Sequence, residues 1–325
     1  MRGYQKPNPK LWTGRHSAQK LYLHEKVTLF DLDTDSMDRL PKNSLTLLGY
    51  ACDEGVKRNQ GRIGAAKGPD AIRSALAKMP NHLTENTHLY DLGNVGCDDG
   101  DMEAAQIRLA EAVQQLLQHK CLPILLGGGH DIAYGHYKGI RQFLGREKRI
   151  GIINFDAHFD LRANETGNNS GTPFFQIAQD CAAEGSAFHY LCLGIRKDAN
   201  TSVLFRTARD LGVGFIEKDR FNLFYLEEVR QKLLQFMGKV DFIYTSIDID
   251  GFSSAYAPGA SSPYPNGYAP EVVFEVLRNI VGSEKLIGID VAEMNPTYDI
   301  DHQTAKLAAA LMHFAIHETA LLQPR

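Results

Sequence analysis

From Leu45 onward, short apolar runs alternate with longer amphipathic ones, whereas residues 1–44 are polar and irregular, with charges of both signs. The short runs predict strands at Leu45–Ala51, His88–Leu92, Leu122–Leu126, Arg149–Phe155, His189–Leu193, Phe242–Ile247 and Leu286–Ile289, with a weaker one near Val213–Ile216. Several show no polar alternation, as expected of strands covered on both faces. The longer runs predict helices. In Met102–His119 the residues Met102, Ala105, Leu109, Val113 and Leu116 recur at spacings of three and four. Pro69–Lys78 and Pro270–Ile280 each carry a proline in the first turn, where a missing N–H costs little. Ile132–Leu144, Thr201–Leu211, Leu226–Phe236 and Gln303–Leu321 complete the set. Such alternation predicts an α/β fold, a parallel sheet with helices on both faces. Nothing in the sequence reads as a repeat or a Gly/Ser linker. One domain over residues 1–325 is therefore expected, an N-terminal extension (1–44) leading into a core (45–325).

Composition narrows the classes. The 325 residues are 43% apolar, and 35 basic against 39 acidic side chains leave a net charge of −4. This argues against disorder and against a nucleic-acid partner, which would call for a basic face. No run approaches the ~20 apolar residues of a membrane span, and Met1–Trp12 has no signal-like apolar stretch. The five cysteines (Cys52, Cys97, Cys121, Cys181, Cys192) are odd in number and form no CxxC pair. Neither a disulfide framework nor a zinc ribbon is suggested, and a reducing cytoplasm is the simplest location.

In open parallel sheets, ligands bind beyond the carboxyl ends of the strands, and three strand ends carry chemistry. Leu122–Leu126 runs into Gly127-Gly128-Gly129-His130-Asp131, whose glycines allow a sharp turn or a close approach to a ligand. Neither GxxxxGK[ST] nor GxGxxG is present, so a nucleotide cradle is not supported. Arg149–Phe155 runs into Asp156-Ala157-His158-Phe159-Asp160. If that chain stays extended, residues 156, 158 and 160 project to one side. Phe242–Ile247 runs into Asp248-Ile249-Asp250-Gly251. A calcium loop there would need Glu at its twelfth position, and that position is Gly259. Together the three ends offer four aspartates and two histidines. Four clustered carboxylates repel one another without cations, and oxygen ligands with some imidazole suit Mn²⁺. Six such side chains suffice for two ions, which can acidify a shared water. His313 and His317 also lie four apart, but Phe314 stands where a zinc protease needs Glu, so that pair reads as helix packing.

GGGHD at 127–131, DAHFD at 156–160 and SIDIDG at 246–251 resemble the three metal motifs of the arginase, or ureohydrolase, superfamily. The likeness continues through Pro258-Gly259 and Val291–Pro296. Upstream, Cys52–Val56 and Arg58–Pro69 resemble its formimidoylglutamase branch. The resemblance implies a three-layer α/β/α sandwich around a mainly parallel eight-stranded sheet. It implies His130, Asp156, His158, Asp160, Asp248 and Asp250 as ligands of two Mn²⁺ per chain. The implied reaction is hydrolysis of N-formimidoyl-L-glutamate to L-glutamate and formamide, a step of histidine degradation, by attack of a metal-bridging hydroxide on the amidine carbon. Asp160 would carry the released proton, and Glu293 would hold the amidinium N–H groups. A homo-oligomer is also implied.

A substrate with two carboxylates calls for arginine at the mouth; Arg162, Arg58, Arg62 and Arg196 are the candidates. Where the arginase pattern carries an acid/base histidine, this chain has Ser170, which does not titrate near neutrality. That favours a formimidoyl substrate over arginine. The competing readings are agmatinase or another guanidino hydrolase, an inactive binding or regulatory protein on this fold, and a two-metal phosphatase.

Overall fold

The computed structural model describes residues 3–322. Its sheet contains β1 (Tyr4–Gln5), β2 (Thr28–Leu29), β3 (Leu45–Ala51), β4 (Leu89–Gly96), β5 (Leu122–Gly127), β6 (Ile150–Phe155), β7 (His189–Ile195), β8 (Gly214–Glu217), β9 (Phe242–Asp248) and β10 (Leu286–Ala292). The order is β1-β4-β3-β5-β10-β9-β6-β7-β8, with β2 also paired to β4. The eight strands from β3 to β10 are mutually parallel, and only β1 runs antiparallel. The expected eight-stranded parallel sheet is therefore present, widened at one edge by two short strands from the N-terminal segment.

Both faces are covered, which is why the strands read as unbroken apolar runs. On one face Leu47, Ile124, Ile153, Ile243 and Ile289 pack with Ile72, Leu233, Val276 and Leu311 from helices Gly68–Leu76, Leu226–Met237, Pro270–Gly282 and Gln303–Leu322. On the other, Leu48, Leu125, Ile152 and Tyr244 pack with Leu109, Ile140, Ile177 and Ala208 from helices Met102–Gln118, Ile132–Leu144, Pro173–Glu184 and Ser202–Asp210. Helix Pro173–Glu184 was not among the expected elements. Its signal was present all the same, with Pro173 in the first turn and Phe174, Ile177 and Cys181 buried on one side.

The polar composition of residues 1–44 hides their packing. Trp12, Leu23, Phe30 and Leu40 are buried in the two cores. The Trp12 indole donates to Asp91 Oδ2 at 2.7 Å, while Arg73 donates to Asp91 Oδ1 at 2.9 Å and to Asn94 Oδ1 at 2.6 Å. A fully buried ion pair thus ties the N-terminal segment to the β4 edge. Among the described residues no helix is long and apolar enough to cross a membrane.

Candidate metal centre

The carboxyl ends of β5, β10, β9 and β6, neighbours in the middle of the sheet, open onto one cleft of about 290 Å³. After β5 the glycine turn lies against the end of β3. Gly128 N–H donates to Tyr50 O and Gly129 N–H to Cys52 O. A Cβ on Gly128 would fall 1.9 Å from the Cys52 carbonyl oxygen, so only glycine fits there. The turn delivers His130 to the start of helix Ile132–Leu144.

The two Asp-x-Asp and Asp-x-His pairs do not reach the cleft by extended-strand alternation. β6 ends at Phe155 and β9 at Asp248, and the chain then turns. At both places the first aspartate folds back on itself. Asp156 Oδ1 accepts His158 N–H at 2.7 Å, and Asp248 Oδ1 accepts Asp250 N–H at 2.8 Å. These are Asx turns, in which a short side chain replaces a backbone acceptor. Asp160 completes its turn with φ of 48°, a left-handed conformation that aspartate tolerates better than most residues. The expected convergence holds, but through turns.

The second oxygen of each turn aspartate faces the centre, that of Asp156 while also accepting from Asn154 Nδ2 at 3.0 Å. His130 Nδ1 lies 3.2 Å from Asp156 Oδ2, 2.8 Å from Asp160 Oδ2 and 3.0 Å from Asp248 Oδ2. His158 Nδ1 lies 3.4 Å from both Asp156 Oδ1 and Asp250 Oδ2. The six residues form two overlapping groups, His130–Asp156–Asp160–Asp248 and Asp156–His158–Asp250, with Asp156 common to both. His130 Nδ1 and Asp250 Oδ1 are buried and have no hydrogen-bond partner among the described residues. Converging, unpartnered donors of this kind fit divalent cations with oxygen and imidazole ligands.

Electrostatics point the same way. Burial, then Asp250 and Asp156, raise the Asp248 carboxyl well above its usual range. Burial and Asp156 raise Asp160. Against burial, the surrounding carboxylates push His130 and His158 well above the ordinary imidazole value. Against burial, His130 and His158 hold the Asp156 carboxyl well below the usual carboxylate range, so protons on the imidazoles and on the other carboxyls offset the crowded charge in place of cations. Glu293 follows β10 with φ of 65°. It binds the glycine turn at two points, donating its N–H to Gly128 O and accepting His130 N–H on Oε1 at 2.9 Å. Burial and then Asp250 raise its carboxyl to about 8.

The pattern of the arginase family matches residues 43–317. The chain belongs to the arginase family. It is 46% identical to the formimidoylglutamase of Chromobacterium violaceum, over 93% of this chain and 96% of that one. With the formimidoylglutamase of Geobacillus sp. (strain WCH70) it shares 40% identity, over 96% and 97%. The crystal structure of formimidoylglutamase from Bacillus subtilis superposes with a TM-score of 0.78 at 26% identity, covering 92% of this chain and 95% of that one. Trypanosoma cruzi formiminoglutamase with Mn²⁺ shares the fold, with a TM-score of 0.75 at 23% identity and coverage of 87% and 95%.

The four candidate arginines part company in this arginase-family cleft. Arg162 and Arg62 line it, together with Asn59, Ser170, Ser261 and Glu293. Arg162 donates Nη1–H to Asn59 Oδ1 at 2.8 Å, leaving Nε and Nη2 for a ligand, and Asn59 donates on to Ser170 Oγ at 3.1 Å. Arg62 donates to the Ser261 and Ala260 carbonyls and sits 4.0 Å over the Tyr298 ring. Arg58 is paired outside the cleft with Glu54 and Glu103. Arg196 is buried, donates to Asp198, stacks 3.5 Å over Tyr264 and lines a neighbouring smaller cavity. A larger cavity of about 430 Å³ opens at the opposite, amino ends of β5 and β10, beside Leu122, Leu286 and Leu322, and holds none of the six converging residues.

Three residues at the site received no role from the sequence: Asn59, Ser246 and Asp290. Asn59, at the end of the short helix Glu54–Arg58, and Ser246 both lie inside the recognised motifs Arg58–Pro69 and 246–251. Asp290 had a signal of its own, being a charged residue inside the otherwise apolar strand β10.

Proposed function

We propose that this protein hydrolyses N-formimidoyl-L-glutamate to L-glutamate and formamide, with two Mn²⁺ ions held by His130, Asp156, His158, Asp160, Asp248 and Asp250. The observation that carries the reading is the division of one cleft into an acidic floor and a wall bearing Arg162 and Arg62. Such a cleft suits a substrate with a cationic amidine at one end and carboxylates at the other. The formimidoylglutamase relatives support the same choice.

Cations bound at the floor supply Lewis acidity and activation of a water molecule. The chain supplies the rest. Glu293, following β10 and anchored to the glycine turn, holds the amidinium N–H groups by charge-assisted bonds. Asp160 Oδ2, at the cleft edge of the cluster, takes the proton released on attack and passes it to the leaving nitrogen. Arg162, braced by Asn59, binds a substrate carboxylate, and Arg62 adds positive charge at the rim. Ser170 offers no titratable group at the place where an acid/base histidine would stand. An agmatine tail, being cationic, would face two guanidinium groups.

The test is turnover of N-formimidoyl-L-glutamate, agmatine and arginine by the purified protein supplied with Mn²⁺. N-formimidoyl-L-glutamate is expected to react fastest, and faster turnover of agmatine overturns the assignment.

A further inference from the structure

Beneath the metal centre the sheet carries a polar chain that the reaction itself does not use. His130 Nε2 lies 3.0 Å from Ser246 Oγ. Ser246 donates its hydroxyl to Asp290 Oδ1 at 2.5 Å. The other oxygen of Asp290 accepts from Tyr244 OH at 2.5 Å and pairs with His136 Nδ1 at 2.7 Å. Asp290 is fully buried, as are Ser246, Tyr244 and His136. The register explains the chain: Asp290 on β10 is the direct partner of Ser246 on β9. Tyr244, Ser246 and Asp248 then fall on one side of β9 at the strand period of two.

A buried carboxylate in the middle of a sheet is costly unless its hydrogen bonds serve it. Here three donors do so, and one of them leads to a metal ligand. We infer that Asp290, acting through Ser246, is a positioning device that fixes which nitrogen of His130 faces the cation. This inference rests on the metal-centre reading above. The logic is one of hydrogen counting. A serine hydroxyl has a single hydrogen. Ser246 gives it to Asp290, so its oxygen is left to accept from His130 Nε2–H. The proton is thereby held on Nε2, and the lone pair on Nδ1 is turned toward Asp156, Asp160 and Asp248. A ring with the proton on Nδ1 would offer the cation no ligand atom. Metal-ligating histidines commonly use such outer partners to set ring orientation and tautomer. Here the partner is reached through a serine.

Three variants separate positioning from plain structural support. Ser246→Ala removes the acceptor for Nε2–H. Asp290→Asn can present N–H to Ser246, which reverses the direction of the chain and favours the wrong tautomer. Tyr244→Phe removes a different donor to Asp290 and leaves the Ser246 branch intact. The readouts are the Mn²⁺ binding isotherm by calorimetry and the melting temperature of the metal-free protein. Ser246→Ala and Asp290→Asn are expected to weaken one of two Mn²⁺ binding steps by about 10–100-fold. Tyr244→Phe is expected to lower the melting temperature while keeping both steps within about twofold of the unmodified protein. Should Asp290→Asn fail to fold, Ser246→Ala decides. Unchanged Mn²⁺ affinity in Ser246→Ala overturns the inference, as does equal weakening in Tyr244→Phe. An unmodified protein that takes up no Mn²⁺ overturns the metal-centre reading and this inference together. Turnover does not enter, so the identity of the substrate does not affect the outcome.

Discussion

Asp248 uses one carboxylate oxygen to accept the N–H of Asp250 and the other to face His130, 3.0 Å away. A single side chain therefore shapes the turn that presents Asp250 and contributes to the cluster. Asp156 repeats the arrangement with His158.

The double role can be separated. Asp248→Asn keeps an oxygen to close the turn but loses the charge; Asp248→Ala loses both. Both are expected to lose turnover and to bind Mn²⁺ more weakly by over ~100-fold, since even outer partners of metal ligands are worth about 10–100-fold. Only Asp248→Ala should also lower the melting temperature of the metal-free protein. Calorimetric Mn²⁺ titration and thermal unfolding check this, and unchanged turnover in Asp248→Ala would remove the assigned centre.

Arg162 faces the cleft with donors to spare, whereas Arg58 and Arg196 are occupied elsewhere. Arg162→Ala is expected to reduce kcat/KM for N-formimidoyl-L-glutamate by about 10–150-fold, the worth of one hydrogen bond to a charged group. Mn²⁺ content should hardly change, and Arg58→Ala should have a much smaller effect. Steady-state kinetics with a carboxylate-free amidine as comparator decides the matter. Equal loss on that comparator means that Arg162 does not read a carboxylate.

Arg73 and Asp91 form a buried pair joined by the Trp12 indole. Arg73→Met leaves the Asp91 charge without its guanidinium partner in the core and is expected to destabilise the fold by about 3–5 kcal/mol. Trp12→Phe removes one hydrogen bond and should cost about 1–3 kcal/mol. Denaturant unfolding of the metal-free protein measures both. A negligible effect of Trp12→Phe would mean that the N-terminal segment does not contribute to the core through this bond.

His317 donates Nδ1–H to His313 O and accepts His82 N–H on Nε2, so both nitrogens are engaged by a neutral ring. Burial, then the neighbouring histidines, lower it to about 4. The unfolded ring titrates near 6.5. Below that pH the unfolded chain binds a proton that the folded one refuses, so this stability is full above pH 6.5 and is lost as the pH falls toward 4. The ring is partly exposed, so the effect is discounted for screening to about 1 kcal/mol. His317→Gln should flatten the fall in melting temperature between pH 6.5 and 4; the same slope in both proteins would refute this.

Local pattern was enough to read the sheet, because a strand covered on both faces must be apolar throughout, and this chain's strands are. It was enough also to pick out the six residues that converge in the cleft, which stand at strand ends in motifs whose chemistry is compressed into three to five positions. It did not reveal how those residues converge. Strand alternation and Asx turns bring i and i+2 to the same side, and only backbone geometry tells them apart. Nor did it sort the arginines, since whether a guanidinium is spent on Glu103, on Asp198 or on the cleft depends on neighbours far away in the chain. The chain from His130 through Ser246 to Asp290 spans three strand ends and exists only once β9 and β10 are in register. Burial of residues such as Trp12 and Leu23 in a polar segment is likewise a tertiary outcome. A few apolar side chains anchored at a sheet edge suffice to order a stretch whose average composition reads as loop.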